Sequence, residues 1–114
     1  MVTQQFEAHV RQEPSGVIID LVGQIDSQAE EALNTAYAEA DATAKQVIVL
    51  NFSAVEYINS TGIALVVGLL AQARKAHREL RVFGLSDHYM EIFRITRLAD
   101  FMSIHQDEAG ALAS

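Results

Sequence analysis

A single α/β domain built on a mixed β-sheet is what this sequence predicts, on three observations. The 114 residues are half apolar, enough for one compact core and too few for two ordinary domains, so residues 1–114 read as one unit. Short apolar runs alternate with longer stretches whose apolar residues recur at helical spacing, the order that builds parallel strand pairs joined by crossover helices. The chain opens instead on two strand-like runs around a tight turn, which adds an antiparallel pair and makes the sheet mixed.

Residues 5 to 11, Gln-Phe-Glu-Ala-His-Val-Arg, alternate polar and apolar as a half-buried strand does. Glu13-Pro14-Ser15-Gly16 is a turn, with proline fixing one backbone angle and glycine permitting a positive one. Val17 to Val22, β-branched and apolar except at Asp20, forms the second arm, and Gly23 ends it. Asp26 or Ser27 then caps a helix over Gln28 to Ala42, in which Ala29, Leu33, Ala36, Tyr37 and Ala40 share a face opposite Glu30, Glu31, Glu39 and Asp41; the acidic first turn suits the positive helix end. Val47-Ile48-Val49-Leu50 has the continuous apolar character of a strand covered on both faces. Asn59 or Ser60 caps the next helix, which runs to about His77. Leu80 to Gly84 is a strand, Ser86-Asp87 caps a helix through about Thr96, Phe101 to His105 is a last strand, and a short helix follows Asp107. No internal repeat, low-complexity tract or linker interrupts this order.

Composition excludes several functions. A net charge of −7 opposes direct binding to nucleic acid or to an anionic membrane, both of which need a surplus of lysine and arginine. The local cluster Arg74, Lys75, His77, Arg78 and Arg81 reads as a solvated helix end, where cations are favoured. The longest apolar window, Ile63 to Ala71, is too short for membrane insertion, and Met1-Val2-Thr3-Gln4-Gln5 lacks the basic start and apolar core of a signal peptide. The expected location is the cytoplasm, in agreement with the absence of cysteine, which also removes disulfides, thiolate metal sites and thiol nucleophiles. His9, His77, His88 and His105 are scattered without metal-ligand spacing, and there is neither a phosphate-binding glycine loop nor a nucleophile elbow. No metal, cofactor or enzymatic activity is expected.

The functional candidate is Ile58-Asn59-Ser60-Thr61-Gly62, a hydroxyl cluster where a strand hands over to a helix. Taken alone, Asn59-Ser60 reads as a helix cap, worth about 0.5 to 2 kcal/mol. The amides of the first turn that such a cap leaves over would also welcome a phosphate. Ser60 as a nucleophile would need a base; no histidine lies in its segment, and Asp26 and Asp20 are the only carboxylates expected to approach.

Val55-Glu56-Tyr57-Ile58-Asn59-Ser60-Thr61-Gly62-Ile63 resembles the hallmark of STAS domains of the anti-sigma factor antagonist type: a hydrophobic residue, Asp-Ser-Ser or Asp-Ser-Thr, Gly, then Leu or Ile. Leu21 to Asp26 is similar to the family's Gly-x-Leu-Asp element and Val47 to Phe52 to its central strand; Gly84-Leu85-Ser86, Ile92-Phe93 and Thr96-Arg97-Leu98 resemble its closing pattern. In order and spacing these pieces span about residues 5 to 108. The resemblance implies four or five strands with helices packed mainly on one side.

It also implies a function. In anti-sigma factor antagonists the serine after the Asp is phosphorylated by a partner kinase that is itself the anti-sigma factor, a phosphatase resets the switch, and only the unphosphorylated form binds. By position that serine is Ser60, with Thr61 in reserve; Asp26, Ser27, Asn59, Thr61 and Gly62 shape the site. The expected partners are thus an anti-sigma factor serine kinase and a serine phosphatase. Asn59 stands where the family usually has Asp, keeping the cap while removing a charge beside the hydroxyl. Among the apolar residues that follow, Leu65, Val66 and Leu69 are the candidates for a partner-binding patch. Two other readings are a STAS subunit of a lipid transport complex, which binds a transporter ATPase without a regulatory phosphate, and a non-phosphorylated scaffold or sensor module.

Overall fold

The structure, a computed structural model, describes residues 6–113, so Gln5 of the expected first strand and the segment Met1–Gln5 lie outside the described residues. Along the chain run β1 (Glu7–Glu13), β2 (Gly16–Ile25), α1 (Glu30–Ala42), β3 (Val47–Ile58), α2 (Ser60–Lys75), β4 (Glu79–Phe83), α3 (Asp87–Ile95), β5 (Ser103–His105) and α4 (Glu108–Leu112). The strands form one sheet in the order β1-β2-β3-β4-β5. β1 is antiparallel to β2 and every other pair is parallel, the expected mixed sheet.

The hairpin closes on a pair between Glu13 and Gly16. Gly16 does not use a positive φ, contrary to expectation; it is glycine because a Cβ would come within 3.0 Å of the Val47 carbonyl oxygen on β3. Nor does Gly23 end its strand. With φ at 102° it sits in a bulged stretch where the β2–β3 register shifts, and β2 continues to Ile25. β3 likewise runs well beyond Leu50, because β2 pairs with it as far as Ile58. On the other side its pairing with β4 stops at Asn51 and Phe83, so more than half of β3, from Phe52 to Ile58, projects past its neighbour. The final strand is shorter than expected, beginning at Ser103 after a 3-10 turn over Leu98–Asp100.

One face of the sheet carries α1, α2 and α3. The α1 stripe read from spacing, Ala29, Leu33, Ala36, Tyr37 and Ala40, is buried together with Ile19, Leu21, Ile48 and Leu50 from the sheet. Each large aliphatic side chain so buried contributes roughly 1.5 to 3 kcal/mol. The opposite face is covered only where Ala111 and Leu112 of α4 lie over Ile18, Val49 and Phe83.

Two arginines clasp α4 to that face. Arg11 Nη2 donates to Glu108 Oε1 at 2.7 Å, and Arg81 Nη1 donates to the carbonyls of Ala111 at 2.8 Å and Ala113 at 2.7 Å. Arg78 bridges to Asp41 at 2.8 Å and to the Lys45 carbonyl. Arg78 and Arg81 are therefore structural ties, and the exposed Arg74, Lys75 and His77 of the basic cluster fit the solvated helix end inferred from sequence. Among the described residues no helix is long and apolar enough to cross a membrane.

Asp20, the one charged residue inside the apolar run of β2, is accounted for on the same face. Its carboxylate accepts from Arg11 Nε at 2.5 Å and from Asn51 Nδ2 at 2.8 Å. Burial pushes its pKa up, but the hydrogen bonds from Arg11 and Asn51 and the Arg11 charge outweigh burial and hold it below its ordinary value of 3.8. A carboxylate with a depressed folded-state pKa stabilises the fold fully above its unfolded pKa and loses that contribution as pH falls through the folded value. Asp20→Asn should therefore cost about 1 to 2 kcal/mol at pH 7, and denaturation at descending pH should show the gap to wild type narrowing below about pH 4.

Candidate functional site

The carboxyl ends of β2 and β3 lie side by side, with Ile25 opposite Ile58. The chain leaves β2 through Asp26, whose carboxylate accepts from Gln28 N at 2.9 Å and caps a 3-10 turn over Ser27–Ala29. It leaves β3 through Asn59, which enters α2. The Asn59 amide donates back to the Ile25 carbonyl at 3.2 Å, so the two connections are held against each other.

Gly62 sets how closely they meet. A Cβ there would lie 2.0 Å from the Ile25 carbonyl oxygen and 2.9 Å from Ile58 Cγ2, distances no side chain can occupy. The first turn of α2 is consequently seated directly on the end of β2.

Of the two capping residues open from sequence, the structure uses Asn59. Its backbone is extended, its side-chain oxygen accepts from Gly62 N at 2.8 Å, and its carbonyl accepts from Ile63 N at 2.9 Å. Ser60 is instead the first helical residue. It is exposed, as is Thr61, and its hydroxyl makes no hydrogen bond among the described residues. With Gly62 and Ile63 served, the Ser60 and Thr61 amides are the donors of the first turn left without an acceptor among the described residues. A spare hydroxyl thus stands beside two spare N–H groups at the positive end of a sixteen-residue helix.

Six expected site residues, Asp26, Ser27, Asn59, Ser60, Thr61 and Gly62, gather at this end of the sheet. The partner-binding candidates fare differently. Val66 and Leu69 are 0% and 1% exposed and face the sheet within the core, and Leu65 is half-buried against it, so Val66 and Leu69 are withdrawn from any partner. α2 is so apolar that its sequence does not mark which side faces inward. Its outer side proves to be Ala64, Val67, Gly68 and Ala71, continuing from Ser60 and Thr61, with Val67 44% exposed.

Two further residues near the site were not singled out from sequence. Tyr57, next to Ile58, is half exposed. Tyr89 of α3 is buried, and its hydroxyl accepts the Ile58 amide at 2.9 Å; its place three residues after the Ser86 cap marked it as helical but gave no sign of where its oxygen would reach. No carboxylate or histidine is hydrogen-bonded to Ser60, and no cluster able to hold a metal occurs among the described residues.

The mixed sheet with α1, α2 and α3 on one face and a serine opening α2 defines a STAS domain. The family model described as Mlab, STAS domain matches residues 8–104, and the chain belongs to that family. Among its relatives, the anti-sigma-B factor antagonist of Listeria monocytogenes serovar 1/2a is 31% identical over 90 residues, 79% of each chain. The crystal structure of an anti-sigma factor antagonist from Mycobacterium paratuberculosis matches 97% of this chain and 96% of its own with a TM-score of 0.82 at 18% identity. The phosphorylated form of the Bacillus cell fate determinant SpoIIAA matches 93% of this chain and 96% of its own with a TM-score of 0.68 at 21% identity. At such identities the two structures bear on fold alone.

Because Gly62 abuts backbone that cannot retreat, Gly62→Ala should lower stability by about 1 to 3 kcal/mol. Asn59→Ala should lower it by about 0.5 to 2 kcal/mol through loss of the cap, whereas Asn59→Asp should match or exceed wild type. Denaturant midpoints of the three variants check all of this.

Proposed function

We propose that this protein is an anti-sigma factor antagonist that switches partners through Ser60. The observation that carries the reading is the exposed Ser60 hydroxyl, free of the capping duty that Asn59 performs. The name of the Listeria relative supports it.

Unphosphorylated, the domain binds an anti-sigma factor serine kinase through the Ser60 loop and the outer side of α2, where Ala64, Val67, Gly68 and Ala71 offer a low apolar strip beside the hydroxyl. Binding releases the sigma factor held by that kinase. In the switching step Ser60 Oγ attacks the γ-phosphorus of ATP; the Oγ–P bond forms, the bond to the β,γ-bridging oxygen breaks, ADP departs, and the hydroxyl proton passes to a base of the kinase. A serine phosphatase reverses the state by hydrolysis.

The physics separates folding from docking. A phosphate brings about −1.5 to −2 charges. Within the free domain it meets the spare Ser60 and Thr61 amides and the helix dipole, so the fold tolerates it. At an interface the same group has to shed water against a surface shaped for a neutral hydroxyl, and each 1.4 kcal/mol lost there weakens binding about tenfold. Thr61, equally exposed, is the reserve acceptor.

A second reading, a non-phosphorylated STAS scaffold or sensor module, is favoured by Asn59 in place of the family's Asp. Mass spectrometry of the intact protein after incubation with the cognate kinase and ATP discriminates. One added phosphate, absent in Ser60→Ala, is expected, and Ser60→Asp should weaken kinase binding by about tenfold or more. An unmodified protein, or a phosphate that persists in Ser60→Ala, contradicts the assignment.

A further inference from the structure

Beyond Asn51 on one side of β3 there is no strand to receive its backbone groups, because β4 ends at Phe83. Successive residues of a strand point their amides to opposite sides. The Asn59 amide turns towards β2, where it meets the Ile25 carbonyl, so the Ile58 amide turns towards the gap. There the Tyr89 hydroxyl accepts it at 2.9 Å in a buried contact. A side chain of α3 thus replaces the missing strand at the last β3 residue before the Ser60 loop.

Tyr89 is itself fixed. It lies in the first turn of α3, where its amide donates to the Ser86 hydroxyl at 3.3 Å. One turn further on, Phe93 is fully buried and packs edge to face on Phe52 of β3 at 5.8 Å. α3 therefore grips β3 at two points, by ring packing at Phe52 and by a hydrogen bond at Ile58.

We propose that Tyr89 is a positioning residue for Ser60, holding the end of β3 so that the hydroxyl and the two spare amides keep a fixed geometry; as a role in the switch this rests on the reading that Ser60 carries the phosphate. Removing only the Tyr89 oxygen orphans the Ile58 amide, and the loop is then clamped from the β2 side alone. The Phe93–Phe52 packing is untouched by that change, so the loosening should fall on the connection.

The test needs no kinase. Phosphoserine is encoded genetically at position 60 in the full chain, and its second ionisation is followed by phosphorus NMR against pH in the parent and with Tyr89→Phe. A phosphate held against the spare amides should titrate below the ordinary value of about 6, and Tyr89→Phe should move the titration back towards that value. In the unphosphorylated chain the same change should speed exchange of the Ile58 amide by about tenfold or more while the Ile18 and Val49 amides stay protected. The proposal is overturned if the titration is the same with and without the Tyr89 oxygen, or if the wild-type Ile58 amide already exchanges like an open strand edge, a measurement that decides even if Tyr89→Phe does not fold. Failure of every kinase to modify Ser60 would instead sink the switching role and leave the positioning result standing.

Discussion

The contact on which the site depends is the one between Gly62 and the Ile25 carbonyl. A helix that follows a parallel strand ordinarily starts at some distance from the neighbouring strand end, because side chains fill the space between. Here the missing Cβ lets the first turn of α2 rest on the backbone of β2, closer than any other residue permits. Ser60 is therefore referred to the end of β2, where Ile25 is fully buried in the core shared with Leu21 and Ile58. Exposure and rigidity, which usually exclude one another in a loop, coexist at this serine.

The division of labour between Asn59 and Ser60 follows from how few groups are present. The start of α2 leaves four amides without helical acceptors, those of Asn59, Ser60, Thr61 and Gly62. The Asn59 side chain accepts from Gly62, and the Asn59 amide itself donates to the Ile25 carbonyl. Had Ser60 been the cap, its oxygen would have been spent on an amide, and modification would have broken the helix start. Moving the cap back by one residue leaves the serine available and leaves it beside two donors that suit an anion. A chemical change on Ser60 can then alter what the surface presents without altering what holds it.

Legibility in the sequence followed the strength of the periodic signal. The buried stripe of α1 was readable because its apolar and acidic residues alternate at helical spacing, and the cap at Ser86 because the residue type admits few other uses there; the caps read as Asp26 or Ser27 resolve to Asp26, which caps a 3-10 turn ahead of α1. In α2 the apolar residues surround the helix, and burial was then decided by which side the Gly62 contact turns to the sheet; Val66 and Leu69 went inside and Val67 stayed out. The far end of β3 was invisible for the opposite reason. Ser53-Ala54-Val55-Glu56-Tyr57 has no strand character of its own and is extended because β2 pairs with it through a bulge. Gly23 read as a stop because a local pattern cannot distinguish a bulge from an ending. Tyr89 shows the limit most plainly, since the use of its hydroxyl exists only once β4 has been seen to end early.

Asn59 in place of an aspartate bears on one state of the switch more than on the other. In the unmodified domain an aspartate would cap equally well and would add a favourable charge at the helix start. In the proposed modified state, that same carboxylate would stand beside a dianion at the helix start, and the repulsion would raise the free energy of that state. Asparagine supplies the cap oxygen without the repulsion, and its amide group adds donors that a carboxylate lacks. Under the proposed switch, asparagine here would thus remove an aid to phosphoryl transfer while relieving repulsion in the phosphorylated domain, so the balance between the two states would be set by the partner enzymes rather than by a charge at position 59.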